Sequence, residues 1–232
     1  MGVMAPQLLI FDFDGTLADT WRDIATALNR TLREAGYDPV PAAQVRAWIG
    51  KGLLHLIDCV LPQAARSSDE RTSLYARFCA HYERCCLDTT HLYPGVADCL
   101  NALSGHRLAI LSNKRADFLD RMVAELGLAD RFASVTGGDQ LPFSKPDPRA
   151  VTQLAAGLDA ALADTWVIGD SALDVASGRG AGARTIGCAW GLRGREELIA
   201  AHAEFVIDHP AEIPPLIAQR TAAARAERGS EP

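Results

Sequence analysis

The chain has 232 residues, of which 48% are apolar and 22% charged, and a formal net charge of −6. This composition is typical of a folded globular protein with one core and room for a small insertion. The acidic balance argues against a nucleic-acid partner, and no apolar run approaches the length of a bilayer-spanning helix, so we expect no membrane partner either. Because the N-terminus also lacks a basic signal-peptide region, we expect a cytoplasmic protein.

The first strong pattern is an apolar run at residues 8–11 that ends in two acids and a glycine, Asp12, Asp14 and Gly15. The run predicts a buried strand, and charged groups at the end of a buried strand are typical of an active site in an α/β sheet. Taken alone, the two aspartates fit equally well as turn formers that accept hydrogen bonds from nearby amides.

Residues 20–89 show helical spacing only, and we expect four helices there. Thr20 is the expected N-cap of the first, with Asp23 three residues on completing a variant of the capping box. The expected helices cover residues 21–35, 41–49, 53–60 and about 68–85. With no strand of its own, this segment is predicted to be a small α-helical domain inserted after the first strand.

From residue 90 onward, helices and short apolar strands alternate. Strands are predicted at 107–111, 132–136, 166–168, 185–190 and 205–207, and the last dozen residues are expected to form a frayed helix or tail. Strands separated by helices predict a parallel sheet with right-handed crossovers. The predicted fold class is therefore α/β, a Rossmann-like core of residues 1–19 and 90–232 carrying a helical cap domain of residues 20–89.

The polar residues that follow these strands should meet at one edge of the sheet, because parallel strands point the same way. Four carboxylates crowded together would repel one another unless a cation lay among them, and oxygen ligands favour Mg²⁺ over zinc. A carboxylate nucleophile, a second acid, a hydroxyl, a lysine and a metal fit phosphoryl transfer. The residues expected at this edge are Asp12, Asp14, Ser112, Asn113, Lys145, Asp170 and Asp174.

In order and spacing, four segments resemble the motifs of the haloacid dehalogenase superfamily. The helical insertion, the Tyr-Pro-Gly turn at 93–95 and the Lys-Pro-Asp-Pro run at 145–148 resemble its phosphoglycolate phosphatase group in particular. The four segments are Asp12-Phe-Asp-Gly-Thr-Leu-Ala-Asp, Ser112-Asn, Lys145-Pro and Gly169-Asp170-Ser-x-x-Asp174.

The resemblance implies a Mg²⁺-dependent phosphomonoester hydrolase acting on a small phosphorylated metabolite such as 2-phosphoglycolate. Asp12 would be the nucleophile that becomes an aspartyl-phosphate and a metal ligand, and Asp14 would be the general acid and base, its backbone carbonyl also ligating the metal. Ser112 and Lys145 would hold the phosphoryl oxygens. Asp170 would ligate the metal, and Asp174 would do so directly or through water.

Further substrate contacts are expected from Gly15, Asn113 and Lys51. The chain has only three lysines, Lys51, Lys114 and Lys145, so each of them invites a specific explanation. Lys51, between two glycines, is the candidate for the non-reacting end of the substrate and fits equally well as a solvated loop residue. Lys114 is expected to be a surface residue beside the site.

Other interpretations of single residues stay open. Ser112 and Asn113 also fit as helix-capping residues, and Asp174 as a turn residue.

Three other functions compete with hydrolysis. A β-phosphoglucomutase-like phosphotransferase would carry a histidine ten residues after Asp14, where this chain has Ile24. A phospho-receiver domain would place its acceptor after the third strand and have no cap domain, and a binding protein without turnover would not need a complete motif set. The expected partner is a small phosphate ester, and the chain is expected to be a monomer or homodimer.

Overall fold

The computed structural model describes residues 7–62 and 69–228, with side chains described up to residue 221. Its backbone forms a six-stranded sheet, a separate two-stranded ribbon and ten helices within those ranges. The strands, in chain order, are β1 (Leu8–Phe11), β2 (Ala18–Asp19), β3 (His91–Leu92), β4 (Arg107–Leu111), β5 (Ser134–Thr136), β6 (Thr165–Gly169), β7 (Arg184–Cys188) and β8 (Phe205–Ile207).

From β3 onward helices alternate with strands, whereas no helix separates β1 from β2 and four helices follow one another between β2 and β3. In chain order they are α1 (Trp21–Glu34), α2 (Ala42–Trp48), α3 (Leu53–Val60), α4 (Asp69–Cys85), α5 (Val96–Ala102), α6 (Ala116–Glu125), α7 (Pro148–Gly157), α8 (Ala172–Ala181), α9 (Arg195–Ala200) and α10 (Ile213–Arg228). None of the helices in the described ranges combines the length and the hydrophobicity that a bilayer crossing requires.

The large sheet is parallel, with the strand order β5-β4-β1-β6-β7-β8, so the α/β prediction is confirmed. β1 lies between β4 and β6, and all four of its residues are buried. Leu9 and Phe11 pack into the hydrophobic cluster on one face of the sheet, while Leu8 and Ile10 pack into the cluster on the other face. This alternation follows from the two-residue period of a strand, and it makes β1 a rigid central support for the residues that follow it.

The four helices α1–α4 form the helical insertion, by which we mean residues 20–89. Its helices bury one face each against the others: α1 buries Leu28 and Leu32, and α4 buries Leu74 and Phe78. The predicted helices of this segment agree with the observed bounds, except that the expected start of the fourth helix near residue 68 lies outside the described residues. The final residues of the chain, 229–232, also lie outside the described residues.

The insertion leaves and rejoins the sheet domain through the ribbon, in which β2 pairs antiparallel with β3. Next to the ribbon, the buried carboxylate of Asp23 accepts hydrogen bonds from the amides and hydroxyls of Thr89 and Thr90, at 2.6–3.1 Å. The two connecting segments are therefore joined both by backbone pairing and by a buried side chain.

The capping box expected of Thr20 and Asp23 is wrong. Thr20 is the N-cap of α1, but its side chain makes no capping hydrogen bond. Its hydroxyl donates instead to Asp14, and Asp23 is used by the connecting segment after α4. Both side chains have partners distant from the helix start, and those contacts replace the local pattern.

Two predicted strands are shorter or shifted. Ala129–Arg131 forms a 3₁₀ turn, and Phe132 packs edge-on against Phe11 with ring centroids 6.3 Å apart, so β5 begins only at Ser134. β7 ends at Cys188 because the chain turns there, and Trp190 donates its indole N–H to the carbonyl of Thr16.

Candidate active site

Four strand ends of the large sheet bring polar side chains together. Asp12 follows β1, Ser112 follows β4 and Asp170 follows β6, while Lys145 lies on the loop after β5. All four are buried, with exposed fractions of 7%, 3%, 2% and 4% in that order. The shared edge of the sheet therefore holds the groups that the topology predicts for it.

Lys145 connects two of the carboxylates. Its ammonium nitrogen lies 2.8 Å from Oδ1 of Asp12 and 2.5 Å from Oδ1 of Asp174. Burial alone would lower the pKa of this lysine, but the two aspartates outweigh it and raise the pKa above the ordinary value. Lys145 is consequently a fixed positive charge at the centre of the cluster.

The carboxylates of Asp12, Asp170 and Asp174 form a compact buried group, with one oxygen from each lying within 4.8 Å of the others. Burial raises the pKa of Asp12 to about 6, an effect that Lys145 opposes and Asp174 reinforces. Burial also raises the pKa of Asp170 well above its usual range, with repulsion from the other two acids adding to it. Negative charge is therefore costly here without a cation.

The geometry of Asp12 fits a hard divalent ion. Its buried Oδ1 has Lys145 as its charged partner, and the carboxylates of Asp170 and Asp174 lie close by. Three buried carboxylates that share one lysine are an oxygen donor set that suits Mg²⁺.

Asp174 serves the backbone as well as the cluster. Its Oδ2 accepts hydrogen bonds from the amide and hydroxyl of Ser171, at 3.1 and 2.6 Å, which makes it the acidic member of a capping box at the start of α8. Its other oxygen faces Lys145. Asp174 therefore both caps the start of α8 and belongs to the acidic cluster, so the turn and site interpretations of this residue do not exclude each other.

Glycines make room for these acids. A Cβ on Gly15 would lie 2.3 Å from Oδ2 of Asp170, and one on Gly169 would lie 2.2 Å from Cγ of Asp174. Gly15 also has φ +89°, and its amide donates to the carbonyl of Ala18. The structure therefore gives Gly15 a conformational role, and its amide is used within the turn.

Asp14 points away from the acidic cluster toward the helical insertion. Its Oδ1 accepts a 2.6 Å hydrogen bond from the hydroxyl of Thr20, and both its oxygens accept from the ammonium of Lys114, at 2.9 and 3.1 Å. The two neighbouring aspartates thus have different partners, although they are only two residues apart.

The expectation that Lys114 is a surface residue is wrong. Its side chain is 6% exposed, and its nitrogen lies 4.9 Å from the ring centroid of Tyr82 on α4. Burial opposes its charge, but Asp14 and Tyr82 outweigh burial and hold the pKa of Lys114 above the ordinary lysine value. The scarcity of lysine in the chain was the signal for this residue, but its burial depends on a helix far away in sequence.

Asn113 is positioned by backbone on three sides. Its amide nitrogen donates to the carbonyls of Gly50 and Lys145, at 2.9 and 2.8 Å, and its Oδ1 accepts from the amide of Lys145. The side chain therefore fixes the lysine loop and binds the loop between α2 and α3. It borders the cavity, but its amide groups already have protein partners.

A cavity of about 60 Å³ lies between the sheet edge and the insertion. Asp12, Asp14 and Ser112 border it on the sheet side. Lys51 is exposed and does not border it, although the flanking glycines do, so the structure does not bring Lys51 to the other candidate residues. The remaining lining is mostly apolar: Ile24, Ile49, Leu53, Leu56, Phe78, Tyr82 and Phe118.

Comparison with known proteins identifies the family to which the chain is similar. Residues 9–188 match the family model of haloacid dehalogenase-like hydrolases. A phosphoglycolate phosphatase of Vibrio vulnificus (strain YJ016) is 33% identical over 89% of this chain and 94% of its own length. One from Vibrio cholerae serotype O1 is 34% identical over 87% of this chain and 92% of its own. The crystal structure of a predicted phosphoglycolate phosphatase from Haemophilus somnus 129PT superposes with a TM-score of 0.86 at 25% identity, covering 93% of this chain and 99% of that one.

Proposed function

The chain belongs to the haloacid dehalogenase-like hydrolases and is a phosphatase of that family, and we propose that it hydrolyses small phosphate monoesters through a phosphorylated Asp12. The observation that carries the proposal is the buried carboxylate of Asp12, which contacts Lys145 and lies in one cluster with Asp170 and Asp174. Because the curated relatives named above are phosphoglycolate phosphatases, 2-phosphoglycolate is the first candidate substrate.

In the first step, a carboxylate oxygen of Asp12 attacks phosphorus and the bond from phosphorus to the ester oxygen breaks. The leaving oxygen takes a proton from Asp14, whose carboxyl group also borders the cavity. The products of this step are an aspartyl-phosphate and the free alcohol. Thr20 supports the step because its hydroxyl keeps Asp14 in one orientation.

In the second step, Asp14 takes a proton from water, and the water oxygen attacks phosphorus. The acyl-phosphate bond to Asp12 breaks, which releases inorganic phosphate and restores the carboxylate. Asp14 thus returns to its protonated state, so protons and charge balance over the cycle.

Lys145 and Ser112 are proposed to hold the phosphoryl oxygens. Lys145 is a buried cation already in contact with Asp12, so it lies beside the atom that attacks. The buried hydroxyl of Ser112 borders the same cavity and can donate to a phosphoryl oxygen. Fixed donors of this kind stabilise the charge that develops on the equatorial oxygens.

Mg²⁺ is proposed to be held by the carboxylates of Asp12, Asp170 and Asp174 together with the backbone carbonyl of Asp14. When bound, the ion neutralises charge on the phosphoryl group and on the acids that surround it. The raised pKa values of Asp12 and Asp170 support this assignment, because burial and repulsion between the acids oppose their ionisation even with Lys145 in the cluster.

The helical insertion is proposed to be a cap domain over a core of residues 1–19 and 90–232. Tyr82 and Phe78 of α4 border the cavity from the insertion, opposite Asp12 and Ser112. With these side chains in place, the reacting groups are shielded from bulk water, which otherwise competes for the phosphoryl group.

The mutase alternative has less support. Ile24 occupies the position at which a β-phosphoglucomutase-like enzyme would carry a histidine, and its aliphatic side chain borders the cavity. Such a side chain cannot transfer a proton to a sugar hydroxyl.

The proposal is tested by phosphate release from p-nitrophenyl phosphate and from 2-phosphoglycolate. We expect activity that EDTA abolishes and excess Mg²⁺ restores, and we expect Asp12→Asn to lose about three orders of magnitude or more in kcat. Ser104→Ala, at a surface turn away from the site, is the matched control for the substitution. Turnover that survives EDTA, or an Asp12→Asn variant with full activity, would contradict the mechanism.

A further inference from the structure

Lys114 is a buried cation whose charged partner is a proposed catalytic group. Of the basic side chains that border the cavity, Arg115 is engaged elsewhere: its guanidinium pairs with Asp117 at 2.6 Å and donates to the hydroxyl of Tyr75. The Lys114 ammonium donates to both oxygens of Asp14 and lies against the ring of Tyr82. Lys114 is thus the cavity cation best placed to change partners when a ligand enters.

We propose that Lys114 receives a second anionic group of the substrate, so that the site selects phosphate monoesters whose leaving group is negatively charged. The inference rests on the proposed function, because it assigns the phosphoryl group to Lys145 and Ser112. The ammonium then exchanges its ion pair with Asp14 for one with the carboxylate or equivalent anion of the leaving group.

The surroundings favour this exchange. Ile24, Leu56 and Phe78 line the cavity and offer no hydrogen bond to a polar leaving group, and Arg115 pairs with Asp117, so Lys114 is the cavity cation that an anion there would contact. In an apolar site, a charged group without a partner costs far more than in water. The same environment therefore favours an anion that reaches Lys114 over a neutral analogue, which forms no ion pair there.

Two contacts keep the geometry in place during the exchange. The ring of Tyr82 lies 4.9 Å from the ammonium and holds the lysine at the cavity wall. The 2.6 Å hydrogen bond from Thr20 holds Asp14 without help from Lys114. Asp14 therefore stays oriented toward the leaving oxygen while Lys114 contacts the second anion.

Charge at the cavity wall therefore points to hydroxy-acid phosphates as the substrate class, because their leaving group carries the anion that Lys114 receives.

The test compares kcat/KM for 2-phosphoglycolate, its neutral amide and 2-hydroxyethyl phosphate. We expect the native protein to prefer the acid by at least about tenfold over the amide, the ratio that one well-placed ion pair gives. Lys114→Met, which keeps the side-chain length without the charge, should bring that ratio close to one. Lys51→Met is the matched control and should leave the ratio unchanged, because Lys51 is exposed outside the cavity.

Three outcomes overturn the inference: a native protein without preference for the acid, an equal loss for acid and amide in Lys114→Met, or a ratio that falls in Lys51→Met instead. Equal loss would mean that Lys114 only positions Asp14. The preference of the native protein is decisive even if Lys114→Met does not fold. If no ester is hydrolysed, p-nitrophenyl phosphate included, the proposed function itself has failed; turnover without anion preference refutes this inference alone.

Discussion

At the scale of single residues, the difference between Asp12 and Asp14 matters most. Asp12 lies in the acidic cluster with Lys145, whereas Asp14 turns toward Thr20 and Lys114. A side chain that must remain an unprotonated nucleophile and one that must exchange protons need different surroundings. Residues two positions apart can have them because one points into the cluster and the other into the cavity.

Mg²⁺ affinity should depend on pH through Asp12. In the folded, metal-free protein burial raises the pKa of Asp12 to about 6, from 3.8 in the ordinary state. Between these values the folded state binds a proton that the unfolded state does not, so stability of the metal-free protein falls as pH rises through this window. Mg²⁺ should offset this loss of stability, so it should raise the melting temperature more at about pH 7.5 than at about pH 5.

The measurement is the melting temperature with Mg²⁺ and with EDTA at both pH values. Asp12→Asn is the control, since it removes the titrating group and should reduce the pH dependence. An equal shift by Mg²⁺ at both pH values would show that Asp12 is not part of the metal site.

Asp14→Asn should affect substrates according to their leaving groups. An alkyl phosphate needs a proton on its leaving oxygen, so its turnover should fall by about 10²–10⁴-fold. p-Nitrophenolate leaves without one, so the first step should survive while water attack slows. Stopped-flow experiments should then show a burst of p-nitrophenol, and equal losses in the first step for both esters would contradict the role of Asp14.

At the scale of elements, the ribbon between β2 and β3 is the connection that carries the insertion. Its pairing is only two residues long, and Asp23 adds buried hydrogen bonds from α1 to the returning segment. A buried carboxylate with four donor groups contributes more than the exposed ion pair between Arg22 and Asp19 beside it.

Asp23→Ala should lower the free energy of unfolding by about 2–4 kcal/mol, because it leaves buried donors of Thr89 and Thr90 without an acceptor. Arg22→Ala, which removes a solvent-exposed ion pair, should cost about 0–1 kcal/mol. Urea unfolding at neutral pH measures both. An equal loss of unfolding free energy in the two variants would show that the hydrogen bonds to Asp23 do not stabilise the connection between the insertion and the sheet domain.

Most elements follow from the sequence because their patterns are local. The run Leu8–Phe11 is predictable as a strand, and the apolar spacing of α1 and α4 as helices. Strand direction then places Asp12 and Asp170 at one edge. The ribbon could not be predicted, because strands of two residues show no detectable period. The absence of the capping box could not be predicted either, because the residues that bind Asp23 lie 66 and 67 positions away in the sequence.

The burial of Lys114 was unpredictable for a related reason. It depends on which face of α4 meets which loop of the sheet, and helical spacing in α4 identifies Tyr82 as buried without naming its partner. Contacts between the insertion and the sheet domain are set by the relative placement of two packed units rather than by local spacing.

At the scale of the whole molecule, arginines join the insertion to the sheet domain around the cavity. Arg193, on the loop after β7, donates to the carbonyls of Ala47 and Ile49 at the end of α2. In the opposite direction, Arg46 donates to the carbonyl of Gly191 at 3.0 Å. These reciprocal contacts stabilise the arrangement in which the insertion covers the cavity.

Arg193→Ala should therefore weaken closure. We expect KM for 2-phosphoglycolate to rise by about tenfold with a smaller change in kcat, because the covered state becomes less populated. Arg195→Ala is the matched control, since that guanidinium pairs with Asp208 within the sheet domain. If both variants keep the native KM, the arginine contacts do not govern closure.

The ribbon also has an evolutionary consequence. Because the chain leaves at Asp19 and returns at His91 in adjacent, paired positions, the sheet domain sets almost no limit on the length or shape of what lies between them. A different segment grafted at these two points would keep the acidic cluster intact and present a new wall to the leaving group. Substrate range can thus diverge by exchange of one contiguous stretch of gene, while the chemistry at the sheet edge is inherited unchanged.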